Sequence, residues 1–395
     1  MTTFEEAFGD IKEKTIYLDN AATTRILPEV YDKMEPYIKM FYGNASSKYD
    51  LGEISKRAIE ESREIIATAV NCSPEEIYFT SGGTEANNWA IKGLRNKYHF
   101  RPMHMISTCI EHHSILESLK YRWNECGDIE YALVSPESNG VINIDSITEK
   151  LKLNTELISV MMVNNEIGTI QPICQIGERC LDNGIIMHTD AVQAFGQMPI
   201  DVDKLNIAMM SISSHKIHGP KGVGALYICE DIKNRMNPLI HGGQQESMMR
   251  AGTENVAGIV GFGKATEIAM KNMAHNIAHE MELAQYLIKG LKTVSGVYIN
   301  GDIYHMDPRH INIRISGIRA EELMALLGSI DIYVSAGSAC ASESAEPSHV
   351  LKAIGLTDDE ANSSIRISIG DLNTQEDIIE FIGYLKQFIQ MLREK

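Results

Sequence analysis

Apolar and polar residues alternate along the chain in runs that predict strands and helices in turn. Residues 16–18 read as a short strand, followed by the polar turn Asp19-Asn20-Ala21-Ala22-Thr23-Thr24. Helical spacing covers about 28–40 and 51–70, and in the second stretch Ile54, Ala58, Ile65, Ile66 and Ala69 recur at helical intervals. Ile77-Tyr-Phe-Thr80 then reads as a strand, Ser81-Gly82-Gly83 as a turn, and a helix opens near Thr84. Apolar runs at 103–107, 129–134, 157–163 and 185–189 alternate with helical patterns, and further runs follow at 207–213 and 223–228. Strands separated by helices predict a mostly parallel sheet with crossover helices, an α/β architecture.

A proline-free helical pattern from about Asn255 to Val294 leads into a different arrangement. Strand-like segments at 297–300, 311–315, 332–334 and 365–369 are interspersed with helices at 320–328, 348–354 and from about 375. This is an α+β pattern. The expected organisation is a large domain over residues 15–260 and a small domain from 1–14 and 261–395. At 395 residues the chain is long enough to divide its core in this way.

Composition narrows the function. Apolar residues make up 44% and charged residues 23%, as in a soluble globular enzyme. A formal net charge of −17 argues against non-specific nucleic-acid binding, which needs clustered Lys and Arg. No run reaches the roughly 18 apolar residues of a membrane helix, and the acidic start does not resemble a signal peptide. Cysteines at 72, 109, 126, 174, 180, 229 and 340 are odd in number, scattered and without a CxxC. They predict reduced thiols in a cytoplasm and no zinc site.

Several segments carry candidate chemistry. In Met209-Met-Ser-Ile-Ser-Ser-His-Lys216 an apolar run ends in hydroxyl residues and a His-Lys pair, before the turn Gly219-Pro-Lys-Gly222. Lys216 there is either a solvated loop residue or a Schiff-base amine. The strand-turn-helix at 77–88 is either an ordinary capped turn or an anion site made by free N–H groups at a helix start. It matches neither a P-loop nor a dinucleotide fingerprint. Asp190 follows an apparent buried strand, where α/β sheets bind ligands, and it would suit the ring nitrogen of pyridoxal 5'-phosphate (PLP); as a plain residue it would cap a short helix. Glu111-His112-His113 follows another strand end, so an imidazole there could pack on a cofactor ring or move protons. Cys340 lies in a run of small and polar residues, where a thiolate can act as nucleophile, whereas Cys109 and Cys229 sit within apolar runs and read as structural.

Taken together, the segments resemble a cysteine desulfurase of the NifS/IscS type, in the class V aminotransferase group of fold-type I PLP enzymes. The resemblance runs from Tyr17-Leu-Asp-Asn-Ala-Ala-Thr-Thr24 to Ser364-Ile-Arg-Ile-Ser-Ile-Gly370. Between them lie Thr80-Ser-Gly-Gly-Thr-Glu-Ala-Asn-Asn88, Val163-Asn-Asn-Glu-Ile-Gly168, His188-Thr-Asp-Ala-Val-Gln193, Ser214-His-Lys216, Arg250-Ala-Gly-Thr-Glu-Asn255 and Ser335-Ala-Gly-Ser-Ala-Cys340. The last is similar to the long-loop subgroup and places the cysteine loop in the small domain.

The resemblance implies a role for each matching residue. Lys216 would carry PLP as a Schiff base and take the substrate's α-proton. Gly83, Thr84, Ser213 and His215 would hold the phosphate, and Thr253 would reach the phosphate of a neighbouring subunit in a homodimer. Asp190 would pair with the ring nitrogen, Gln193 with the ring oxygen, and His112 would stack on the ring. Asn165 and Arg366 would hold the carboxylate of L-cysteine. Cys340 would attack the substrate sulfur, keep it as a persulfide and release alanine. The sulfur would pass to iron–sulfur cluster assembly, through a scaffold of the IscU type, or to tRNA thiolation. No metal site intrinsic to the chain is expected; Cys340 could transiently ligate a cluster with a scaffold partner. A selenocysteine lyase or another class V enzyme is the alternative, and an inactive scaffold a third reading.

The chain departs from the family pattern at two places. Asn44-Ala45-Ser46-Ser47-Lys48-Tyr49 lacks the family's proline and histidine, and Ser247 stands after Glu246 where an arginine is usual.

Overall fold

The computed structural model describes residues 15–97, 101–337 and 346–394. Its strands in chain order are β1 (Ile16–Tyr17), β2 (Ile77–Thr80), β3 (Met103–Thr108), β4 (Ile129–Val134), β5 (Thr155–Ser159), β6 (Ile186–Asp190), β7 (Met209–Ser213), β8 (Gly224–Ile228), β9 (Val297–Asn300), β10 (His310–Ile315), β11 (Ile332–Tyr333) and β12 (Ser364–Ser368). Seven of them form the main sheet in the order β2-β8-β7-β6-β5-β3-β4. From β7 to β4 all neighbours run parallel, while β8 runs antiparallel to both β7 and β2. The mostly parallel sheet predicted from the pattern is therefore present. The antiparallel strand follows from the short connection through Gly219–Gly222, which leaves no room for a crossover helix.

Every residue of β3 and of β5 through β8 is buried, as expected for a sheet covered on both faces. The expected strand at 157–163 instead starts at Thr155 and ends at Ser159. Beyond it the backbone stays buried, but the Met161 N–H turns to the Glu111 carboxyl, which diverts one ladder position toward a side chain.

Two larger apolar clusters divide the chain. One packs around the main sheet and includes Ile106, Ile158, Met187, Ile212 and Phe262. The other packs around the antiparallel sheet β12-β10-β9 and includes Ile311, Ile313, Ile365, Leu385 and Phe381. The 36-residue helix Val256–Leu291 serves both: Ile259, Phe262 and Ala265 face the first, Leu283, Leu287 and Leu291 the second. At about 1.5 Å rise per residue it is long enough to tie the two cores together. Ile16 and Leu18 also belong to the second cluster, because β1 pairs with β11 in parallel. The final helix, Gln375–Arg393, starts at a reciprocal cap between Thr374 and Asp377 and buries Ile378, Phe381 and Leu385 against the second sheet.

Candidate active site

The carboxyl ends of β6 and β7 lie side by side, and the residues at those ends share one cavity. Its lining includes Gly83, Thr84, His112, Asn165, Asp190, Gln193, Ser213, His215, Lys216 and Arg366. These are ten of the twelve candidate positions, separated by up to 283 residues in sequence (366 − 83). The other two are not among the lining residues. Thr253 is exposed, in the segment before the long helix and outside the cavity lining. Cys340 lies outside the described residues.

Lys216 is placed by a single turn of 3₁₀ helix, Ser214–Lys216, directly after β7. Its Nζ donates to the Ala21 carbonyl at 2.5 Å and the Ala22 carbonyl at 2.7 Å. The polar turn at 19–24 thus folds over the lysine. Thr24 secures the arrangement by donating to the His215 carbonyl and accepting from the His218 N–H. Asp190 ends β6; its Oδ1 accepts from Val192 N–H at 3.0 Å and its Oδ2 from Asn87 Nδ2 at 2.6 Å. Gln193 donates through Nε2 to the Ala21 carbonyl at 2.9 Å, so the same carbonyl orients both Lys216 and Gln193.

The helix Gly83–Gly93 points its N-terminus at the cavity. Its first N–H groups lack helical partners and make an anion site. Gly82 has φ 152°, a conformation open to glycine, and a Cβ added at Gly83 would lie 2.6 Å from Val192 Cγ2. His215 stands beside this end with Nδ1 3.2 Å from Thr23 Oγ1. Burial, then Lys216 and Lys221, push its pKa down to about 4, so it is neutral.

Arg366 is 1% exposed and crosses between the two sheets. It pairs with Asp19 Oδ1 at 2.7 Å and donates to the Asn165 carbonyl at 2.8 Å. Its Nε, Ser213 Oγ and Asn87 Oδ1 are buried polar atoms without hydrogen-bond partners, and all three residues line the cavity. Buried polar groups are normally paired, so the walls present a set of donors and acceptors awaiting a ligand. A phosphate at the helix N-terminus would use Ser213 Oγ and a substrate carboxylate would use Arg366 Nε, while Asp190 and Lys216 stand in the same cavity for a cationic ring nitrogen and an aldehyde. The residues fit PLP.

Sequence reading missed several contributors. Asn87 and Asp19 lie inside matched motifs but carried no assigned role, and the carbonyls of Ala21 and Ala22 have no side-chain signal at all. Glu166 is buried beside Asn165, accepts from Ser348 Oγ at 2.5 Å, and lies 3.4 Å from where a Cβ on Gly337 would sit. It therefore meets the described residues on both sides of the segment that carries Cys340.

Of the departures, Ala45 is buried and Tyr49 precedes the helix Asp50–Val70 without a side-chain cap. Glu246, Ser247 and Met248 all adopt positive φ, at 47°, 55° and 67°. That costly backbone is held because Glu246 accepts from both terminal nitrogens of Arg63 at 2.8 Å and from the Phe79 N–H at 2.8 Å.

Glu111, behind Met161, is fully buried. Burial first, with the nearby Asp190 charge adding, pushes its pKa from 4.5 up to about 8, against the opposing bonds from Thr108 and Met161. The folded state therefore keeps a proton that the unfolded chain gives up near pH 4.5. Stability falls as pH rises between those values, by up to about 1.4 kcal/mol per unit. Glu111→Gln is expected to remove that component. Urea unfolding at pH 5, 6, 7 and 8 should show a shallower decline for the variant; parallel curves would contradict a protonated Glu111.

A profile of the family described as aminotransferase class-V matches residues 16–381. The chain is 44% identical over 382 residues to a protein named cysteine desulfurase IscS from Methanosarcina thermophila, covering 97% of this chain and 94% of that one. Among solved structures it is similar to a NifS-like protein (TM-score 0.89, 34% identity, 96% of this chain and 100% of the other). It is also similar to a structure described as SspA in complex with cysteine (TM-score 0.81, 35% identity, 91% and 100%).

Proposed function

The chain belongs to the aminotransferase class-V family, and from that premise we propose that it is a PLP-dependent cysteine desulfurase. The observation that carries the reading is Lys216 and Asp190 at adjacent strand ends in one cavity, in a chain 44% identical over 382 residues to cysteine desulfurase IscS.

Lys216 Nζ would hold the cofactor, Gly83, Thr84, Ser213 and His215 its phosphate, Asp190 its ring nitrogen and Gln193 its ring oxygen, with His112 against the ring. Bound there, PLP supplies an electron sink for charge that develops on the substrate. Arg366 and Asn165 hold the carboxylate of L-cysteine and so orient its Cα–H toward Lys216, whose amine takes that proton and later returns one. The Cys340 thiolate attacks the substrate sulfur: an S–S bond forms, the Cβ–S bond breaks, and the electron pair stays with the carbon skeleton until it is protonated. The products are alanine and a persulfide on Cys340, with no external oxidant needed.

Two cores joined by the long helix support a division into a large and a small domain, but not every proposed bound: Ile16 and Leu18 pack in the second core, Phe262, Ala265 and Val350 in the first, and residues 1–14 lie outside the described residues. Thr253, exposed and away from its own cavity, supports a homodimer in which it serves the neighbouring phosphate site. The persulfide is handed to an iron–sulfur scaffold of the IscU type or another sulfur acceptor. Among the described residues no helix is long and apolar enough to cross a membrane. A cytoplasmic location is supported by free cysteines at 72, 109, 126, 174, 180 and 229.

The test is purified protein with L-cysteine and reductant, scored for sulfide and alanine, beside Cys340→Ala. Wild type should release both in equal amounts, and the variant should lose sulfide release by at least about 100-fold, as expected for a removed nucleophile. Full sulfide release by the variant sinks the persulfide step and favours a selenocysteine-lyase-like enzyme.

A further inference from the structure

We propose that Asn87 and Ser114 are positioning residues that fix His112 in one tautomer, with its hydrogen on Nε2, and tie that choice to the carboxylate of Asp190. The inference rests on the desulfurase reading only for its consequence in turnover; the hydrogen-bond direction stands on geometry.

Asn87 is 1% exposed on the helix Gly83–Gly93, and its Nδ2 lies 2.6 Å from Asp190 Oδ2 and 2.9 Å from Ser114 Oγ. A carboxylate can only accept, so the amide must turn its NH₂ toward Asp190. One hydrogen of that group goes to Asp190 and the other to Ser114 Oγ. The Ser114 hydroxyl therefore accepts from Asn87, and its own hydrogen is directed to its other close neighbour, His112 Nδ1, at 2.7 Å. The Ser114 backbone N–H points at the same nitrogen from 3.1 Å.

Two donors on Nδ1 exclude a hydrogen there, so the neutral ring carries its hydrogen on Nε2. Charged and titratable groups face this ring from every side: Asp190 from β6, Lys216 from the turn after β7, His113 beside it, and His349 from the helix His349–Ala353. Burial, Lys216, His113 and His349 outweigh Asp190 and hold its pKa below the usual histidine value. With Nδ1 committed to Ser114, Nε2 is the nitrogen left for a ligand in the cavity that His112 lines. His112 thus meets the reaction as a hydrogen donor, and the accepting of the Cα proton falls to Lys216.

The experiment is long-range ¹H–¹⁵N spectroscopy of ring-labelled histidines in the cofactor-free protein at pH 7, with the His112 signals assigned by their loss in His112→Gln. The expected result is an acceptor-type Nδ1 and a protonated Nε2. Ser114→Ala should shift the Nδ1 resonance, and Ser114→Thr, which keeps the hydroxyl, should restore it. In the loaded enzyme Ser114→Ala should lower kcat for L-cysteine about tenfold with KM nearly unchanged, the loss of one hydrogen bond to a reacting group, again recovered in Ser114→Thr. A wild-type ring protonated on Nδ1, or on both nitrogens, overturns the proposal, as does a Ser114→Ala variant with unmoved Nδ1 and full kcat. If the wild type does not turn over L-cysteine, the desulfurase reading fails while the cofactor-free spectra still decide the tautomer.

Discussion

Replacing Lys216 by alanine is expected to lower alanine release from L-cysteine by at least about 10³-fold, within the range for removal of a positioned proton carrier. The amine combines two tasks that no neighbour can take over. In the proposed mechanism it would form the covalent hold on the cofactor and move the proton at the substrate Cα. Its position is unusually constrained, since the turn after β7 aims Nζ at the Ala21 and Ala22 carbonyls. Lys216→Arg separates charge from chemistry: it keeps the positive charge, but a guanidinium stays protonated and is no nucleophile near neutral pH. Both variants should therefore be inactive, measured as alanine formed per protein. More than a tenth of wild-type rate in Lys216→Arg would falsify the assignment of Lys216 as the proton carrier.

The second large effect belongs to Asp190. Asp190→Ala should reduce kcat on the order of 10² to 10³, the scale of removing one preorganised electrostatic partner from a closed site. The carboxylate ends a fully buried strand and is held by Asn87 and the Val192 N–H, so its charge is fixed in place before ligand arrives. Removing it also leaves one Asn87 hydrogen without an acceptor, which costs about 1 to 3 kcal/mol of stability. Asp190→Asn separates the two losses: it keeps the side chain's size and an oxygen that can accept from Asn87, but removes the charge. The expectation is near-wild-type thermal stability with activity as low as Asp190→Ala. Recovery of kcat in Asp190→Asn would show that shape, not charge, was the need.

Much of this was legible along the chain because strands buried on both faces read as continuous apolar runs, and the residue after each run marks a sheet end. That is how Asp190, Lys216 and His112 could be picked out at positions 190, 216 and 112 without any contact information. The glycines at 82 and 83 likewise announced a close backbone approach. Motif matches added Gly83, Thr84, Asn165, Gln193, Ser213, His215 and Arg366, and the structure brings all of these to one cavity.

Other contributors had no such signature. The carbonyls of Ala21 and Ala22 are main-chain atoms, and nothing in a side chain announces which one will face an amine almost 200 residues later. Asn87 and Ser114 sit inside helices, where a polar residue is ordinarily a solvated one. Only the packing of the helix Gly83–Gly93 against β6 turns Asn87 into a buried donor. Glu111 gives the same lesson, since its protonation follows from complete burial that the sequence Glu-His-His does not disclose.

Local sequence carries the architecture, the order of the elements and the chemical types available: an amine, an acid and an imidazole at strand ends, with the Cys340 thiol outside the described residues. Periodicity and turn chemistry are local properties, so local sequence carries them. Which atoms meet is a property of the folded chain. The fold chose the Asp19 carboxylate and the Asn165 carbonyl as partners for Arg366, and one main-chain carbonyl to orient both Lys216 and Gln193. It also joined His112 to Asp190 through Ser114 and Asn87. Those contacts depend on register and crossover geometry across the whole chain, and hydrogen-bond direction follows from them only once every donor and acceptor around the site is in place.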